Sequence, residues 1–406
     1  MSNWFKNIGP GPLVAAAFIG PGTVTLCTIA GVNFGFTLLW AMMLSVVATV
    51  VLQEMSARLG IISQKGLAQI IRAEIKNPLL RILAILLILS AIVIGNAAYE
   101  AGNISGGVLG LEAIFGVKRL ELGIISLNYF SLTIGLVAFV LLYIGNYKIL
   151  ERALVSLVIL MSFAFLITAV ITKPDLGAVF KGFIPRIPKN SIFIIVGLIG
   201  TTVVPYNLFL HASLVKEKWK KQSDLQYARK DTIIAVVLGG LVSMCIIIAA
   251  AAIKTSEVNN AADLSKGLEP LFGSFSKYFL AIGLFAAGIT SAITAPLAAA
   301  FVASGCLGWS SSMKTKKFRA VWIAILCLGV LSSSSGIRSI EIIKFAQVAN
   351  GILLPVVAGF LLWIVNKRIV LGKFKNSLLQ NIFGLIILAI TIFLGLKSIL
   401  KVFELI

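Results

Sequence analysis

The chain has 406 residues, of which 59% are hydrophobic and only 12% charged. A soluble domain of this length has too little interior to bury that much apolar surface, so a soluble fold is excluded. The net charge of +20 does not point to nucleic acid, because the 35 lysines and arginines lie between or at the ends of apolar segments, as in a polytopic membrane protein with basic loops.

About 20 apolar residues cross the hydrocarbon of a bilayer. In chain order, eleven spans are expected: 10–35, 38–60, 82–109, 122–144, 150–172, 191–215, 231–253, 276–305, 320–335, 342–365 and 379–400. They form one integral membrane domain, 1–406. The start of the chain lacks a basic region and a small-residue cleavage site, so its first apolar stretch reads as a retained helix. Most lysines and arginines share a side with the N-terminus, with KEKWKKQSDLQYARK at 216–230 the strongest contributor. That places the N-terminus in the cytoplasm and, with an odd number of spans, the C-terminus outside. Trp40, Trp309, Trp322 and Trp363 sit near span ends, where interfacial anchors belong. The four cysteines, Cys27, Cys245, Cys306 and Cys327, lie in apolar runs without metal or disulfide spacing.

Two spans are interrupted. Span 1 carries Gly20-Pro21-Gly22-Thr23 in its middle, and span 6 reads GLIGTTVVPYNLFLHASLV with a break around Gly200 to Pro205. Irregular backbone at membrane depth is tolerated only where it is buried or lines a cavity. Breaks five spans apart correspond to each other in two five-helix repeats of opposite topology, the arrangement that marks a transporter's binding site. For either break alone, a plain proline kink is the competing explanation. Each broken helix offers free N–H groups at one half and free C=O groups at the other, equivalent to partial positive and negative charges. Such a site holds an anion or a cation according to the side chains added to it.

GPGPLVAAAFIGPGTVTLCTIAGVNFGFTLLW, Gly9 to Trp40, closely resembles the first helix and following turn of the NRAMP family, transporters of divalent transition metals with a LeuT-like fold. GTTVVPYNLFLHASLV (Gly200 to Val215), FAAGITSAITAPLAAAFVASG (Phe285 to Gly305) and FAQVANGILLP (Phe345 to Pro355) resemble its sixth, eighth and tenth helices. The resemblance implies an all-α polytopic membrane protein: a 5+5 inverted repeat (10–172 and 191–365) plus an eleventh helix (379–400), with helices 1 and 6 interrupted. The departures are chemical. The family's helix 1 has Asp-Pro-Gly-Asn, and here the two ligand positions are Gly20 and Thr23. The family's Ala-Thr-Val-Met-Pro-His becomes Thr201-Thr202-Val203-Val204-Pro205-Tyr206, which removes the Met thioether and the His. In helix 3 Ala97 replaces an acid, and in helix 10 Leu353 replaces a Gln.

Transition metals seek imidazole, thiolate, thioether or carboxylate, and Mg²⁺ seeks one or two carboxylates or a retained water shell. With no carboxylate at the break, no divalent site is expected, and the helix N-termini favour a small oxyanion. A minority branch of NRAMP-related proteins that lacks the metal ligands is associated with bicarbonate uptake, and the chain resembles that branch. The sequence reading is therefore a secondary carrier for a small inorganic anion, bicarbonate first, coupled to sodium. Its substrate-binding set is Gly20, Pro21, Gly22, Thr23, Gly200, Thr201, Thr202, Val204 and Tyr206. Sodium is placed at Phe18, Ile19, Ala287, Thr290 and Ser291, where simple hydroxyl back-bonding within the helix is the alternative. The competing function is divalent cation transport, of Mg²⁺ or Mn²⁺, with proton coupling left open. A channel or sensor forms a third class.

Five residues are candidates for coupling or the pathway. Glu100 is an acid well inside an apolar span, either functional or bonded to neighbours such as Asn96. His211, the single histidine, is a structural residue or a pH switch. Gln347 and Asn350 line the route or bond between helices. Nothing resembles a nucleophile–base pair, and the GPGT stretch lacks the Gly-Lys-Ser/Thr of a phosphate loop, so an enzyme is not expected. No cofactor is implied beyond the coupling ion, and a monomer in the lipid bilayer is expected.

Overall fold

A computed structural model describes residues 19–122, 125–145, 148–253, 258–310 and 312–404. The first half of span 1, including Phe18, lies outside the described residues. The longer helices described are α1 (Pro21–Phe34), α2 (Leu39–Ser63), α3 (Pro78–Phe115), α4 (Tyr129–Ile144), α5 (Lys148–Ile171), α6 (Ile192–Thr202), α7 (Pro205–Lys218), α8 (Leu225–Ala251), α9 (Ser276–Leu307), α10 (Lys316–Ser333), α11 (Ser339–Val365) and α12 (Leu378–Val402). Helices α6 and α7 are the two halves of span 6, and among the described residues eight helical segments are long and apolar enough to cross a membrane.

Both interruptions have the same local cause. A residue before proline is pushed out of helical geometry and into extended geometry. Gly20, ahead of Pro21, has φ −104° and ψ −173°. Val204, ahead of Pro205, has φ −71° and ψ 120°. Each proline then opens the next half-helix at its first position, where its missing N–H costs nothing. The second break is narrower than the sequence suggested. Gly200, Thr201 and Thr202 are still helical, and only Val203 and Val204 separate α6 from α7.

Two elements were not foreseen. Span 4 begins at Tyr129 rather than 122, because Arg119–Leu122 and Ile125–Asn128 form an antiparallel hairpin with Arg119 opposite Asn128. Arg119-Leu120-Glu121-Leu122 alternates polar and apolar residues, the period of a strand. Asn128 then caps α4 by accepting from the Phe130 and Ser131 nitrogens at 2.9 and 3.2 Å. In α3, the Ser90–Ile94 stretch is a π-helical turn within an otherwise α-helical span. The core forms where α1 packs on α8, α6 on α11, and α3 on α9. The breaks lie inside it, and Ile19 through Thr28 and Gly200 through Leu210 are buried throughout.

Candidate functional site

The two breaks meet. The Thr23 and Thr201 hydroxyls, 178 residues apart in sequence, are hydrogen-bonded at 2.8 Å with both side chains fully buried. Thr23 lies in the first turn of α1 and Thr201 in the last turn of α6. The end of one half-helix that carries free N–H groups therefore faces the end of another that carries free C=O groups. Gln347 of α11 closes the third side. Its amide lies so close to Gly22 that any side chain there would overlap its Nε2. Its backbone carbonyl occupies the space that a Cβ at Gly200 would take. The Gln347 Oε1 has no hydrogen-bond partner among the described residues although it is buried. A buried amide oxygen left without a donor is costly unless water or an ion satisfies it.

The remaining expected site residues divide. Tyr206 is fully buried, and its ring meets Tyr99 of α3 edge-on at 5.5 Å, which forms a wall to the site. Val204 is buried at the start of α7 and offers no polar side-chain atom. Pro21 packs on Gly106 of α3. Thr202 does not join the site. Its hydroxyl donates to the Leu198 carbonyl at 2.9 Å and also meets the Met42 sulphur of α2 at 3.6 Å.

Of the expected sodium residues, Phe18 lies outside the described residues. Thr290 donates to the Ala286 carbonyl at 2.8 Å, the back-bonded state of a helix threonine. Ser291 is buried with no partner for its hydroxyl among the described residues, Ala287 is buried in the core, and Ile19 is buried beside Gly20. Of the five coupling and pathway residues, Gln347 joins the break. Asn96 donates to the Ala295 carbonyl of α9 at 2.9 Å. Glu100 accepts from Asn103 at 3.4 Å and packs against Gly329 of α10. His211 pairs through Nδ1 with Gln53 Oε1 of α2 at 2.6 Å. Asn350 faces Gly95 of α3.

Two cavities flank the sealed centre. One of about 300 Å³ lies at the end of α7 between Gln69, Ser213 and Gly305. The other, of about 210 Å³, lies at the far end between Glu112, Ser333 and Arg338. No group of three or more His, Cys, Asp or Glu side chains meets among the described residues, so the donors at the break are hydroxyls, amides and peptide carbonyls.

A buried site where two helix interruptions meet, with a cavity at either end, is the architecture of a transporter. The chain belongs to the natural resistance-associated macrophage protein-like family, Nramp, whose description matches residues 11–401. A divalent metal cation transporter of Bradyrhizobium diazoefficiens is 28% identical over 97% of this chain and 90% of its own length. One from Staphylococcus aureus is 27% identical over 98% and 91%. In fold, the chain is similar to a manganese transporter of Eremococcus coleocola, with a TM-score of 0.77 at 22% identity over 98% of this chain and 87% of that structure. It is also similar to a nucleobase-cation-symport-1 family transporter, with a TM-score of 0.58 at 14% identity.

These relatives correct the sequence reading of a sodium-coupled carrier for a small anion such as bicarbonate, since proteins matching nearly the whole chain are named divalent metal cation transporters. The geometry supplies a reason. Pro21 and Pro205 each remove an N–H donor from the half-helix ends that were to hold the anion. The Asn207 nitrogen is already bonded to the Val204 carbonyl at 3.0 Å, and the Val24 nitrogen to the Gly20 carbonyl at 3.2 Å. Each end thus offers one donor fewer, while the last carbonyls of α6 and the Gln347 oxygen are acceptors, which suit a cation.

The hydroxyl pair gives a direct test. Thr201→Val removes the Thr201 hydroxyl and with it the hydrogen bond to Thr23 that ties α6 to α1, worth about 0.5–1.5 kcal/mol. Initial uptake of Mn²⁺ by proteoliposomes at subsaturating concentration is expected to fall at least fivefold. Unchanged uptake would place the ion path elsewhere.

Proposed function

We propose that this chain is a secondary transporter of a divalent metal cation, Mg²⁺ or Mn²⁺, carried through a break lined by neutral oxygen donors. The observation that carries the reading is the match, over 97–98% of the chain, to proteins named divalent metal cation transporters, together with the extended Gly20 ahead of α1 and the break between α6 and α7. In this reading the Thr23 and Thr201 hydroxyls, the last carbonyls of α6 and the Gln347 Oε1 contact the ion or its water shell. With no carboxylate among these donors, the ion keeps several of its waters, as Mg²⁺ does readily. With Val204 in place of a thioether, nothing at the break prefers soft ions. The N-terminus is cytoplasmic, by the distribution of lysine and arginine, and the protein acts as a monomer.

The test is an uptake panel in proteoliposomes with Mg²⁺, Mn²⁺, Cd²⁺ and bicarbonate, each with and without an imposed pH gradient. Mg²⁺ and Mn²⁺ flux without preference for Cd²⁺ is expected. Cd²⁺ outcompeting Mg²⁺ by an order of magnitude would reveal a soft ligand that the break lacks. Absence of any cation flux would end the proposal.

A further inference from the structure

A cavity lined by none of the residues at the breaks opens beside the start of α3. It has a volume of about 570 Å³ and runs between the first half of α3 and the second half of α11, lined by Leu80, Leu87, Val356, Gly359, Phe360 and Trp363. The first half of α3 stands away from the bundle. Leu79, Leu80, Ile82, Leu83, Leu86 and Leu87 are all exposed, and within Pro78–Leu89 only Ala84 and Ile88 are buried. The π turn at Ser90–Ile94 follows, after which Gly95–Phe115 is packed into the core. On the opposite wall a Cβ at Gly359 would meet nothing within 4 Å. The cleft is thus open, apolar and at hydrocarbon depth.

Its length and its mouth identify the occupant. From Pro78 to Leu87 a helix rises about 14 Å, close to half of the roughly 30 Å hydrocarbon core, so the cleft reaches from one face to the bilayer centre. The mouth carries Lys76, Asn77 and Glu74. Lys367, one turn beyond Trp363, holds its Nζ 4.9 Å from the Trp363 ring centroid. Lys76 in the lining, with Lys367 over the lining Trp363, outweighs Glu74, and a basic rim of this kind matches a phosphodiester and not a cationic headgroup. We propose that this cleft is a binding site for one anionic glycerophospholipid, its acyl chain between α3 and α11 and its phosphate at Lys76 and Lys367.

The site is independent of which ion is transported, so its test does not use transport. The protein is assembled in nanodiscs of equal phosphatidylcholine and phosphatidylglycerol, extracted gently, and weighed by native mass spectrometry. One retained phosphatidylglycerol per chain is expected. Lys76→Gln and Lys367→Gln, at side chains that are not buried, each lower the preference for phosphatidylglycerol over phosphatidylcholine about fivefold. Gly359→Leu, which fills the cleft, removes the retained lipid. The proposal is overturned by a chain that keeps no lipid, by phosphatidylcholine held equally well, by a two-chain species in place of a lipid adduct, or by a lysine double variant with unaltered preference.

Discussion

Gly200→Ala is expected to abolish uptake and to lower the thermal stability of the purified protein. A methyl group at this position overlaps the Gln347 carbonyl oxygen and approaches the Gly351 nitrogen to 2.6 Å. Both are backbone atoms of α11, so no side chain can rotate aside and the two helices must separate. Overpacking of this kind costs about 1–3 kcal/mol, and more where the neighbour is main chain. The functional loss exceeds the stability loss for a geometric reason. The residue displaced is Gln347, whose side chain lies over Gly22 and whose Oε1 is the unpaired acceptor of the site. One methyl on α6 therefore moves a donor group on α11 out of register with the break in α1. Gly359→Ala is the control, since it lies in the same α11 and meets nothing within 4 Å. It is expected to fold at least as well as the parent, because alanine restricts the unfolded chain. Uptake and melting temperature measured on both variants separate the two effects. A Gly200→Ala protein with normal uptake would show that α6 and α11 need not touch for transport.

The breaks were readable because they are local. Gly20-Pro21 and Val204-Pro205 are dipeptides whose first residue is forced toward extended geometry, and each does so here. Apolar run length located eight helices that are long and apolar enough to cross a membrane among the described residues. What sequence could not supply was rotation about each helix axis. Thr201 and Thr202 are adjacent and chemically identical, yet only Thr201 reaches Thr23, while Thr202 turns to Leu198 and Met42. Glu100 and Tyr99 are likewise adjacent, and it is Tyr99 that meets Tyr206. Gln347 was given a place along the route, but its position against Gly22 and Gly200 makes it part of the break itself. A signal for it existed in Gly22 and Gly200, since glycines at a break also mark where another helix comes close. The hairpin at 119–128 was lost because its leucines were counted toward a span. The preference of the site for anion or cation was misjudged because free helix N-termini were credited with donors that Pro21 and Pro205 do not possess.

The second large effect is a gain. Gly20 is the N-cap of α1, extended, buried and without a side-chain cap. Aspartate is among the best N-cap residues in that geometry, so Gly20→Asp is compatible with the backbone. It would place the sole carboxylate among the donors named at the break. Unit charges 4 Å apart attract by about 4 kcal/mol at an effective dielectric near 20, and a dication doubles that to about 8 kcal/mol. Desolvation of the buried carboxylate removes a large part of the gain. The net expectation is Mn²⁺ affinity raised at least tenfold, about 1.4 kcal/mol. The same argument fixes the behaviour without metal. A buried carboxylate with no partner destabilises the fold, so the metal-free variant should melt below the parent and recover as Mn²⁺ is added. Saturation at a hundredfold excess over Kd stabilises by about 2.7 kcal/mol. The measurement is a thermal-unfolding titration with Mn²⁺ on parent and variant in parallel. A Gly20→Asp protein that melts at the same temperature with and without Mn²⁺ would mean that residue 20 does not face the ion, and the neutral-donor site between Thr23, Thr201 and Gln347 would have to be given up.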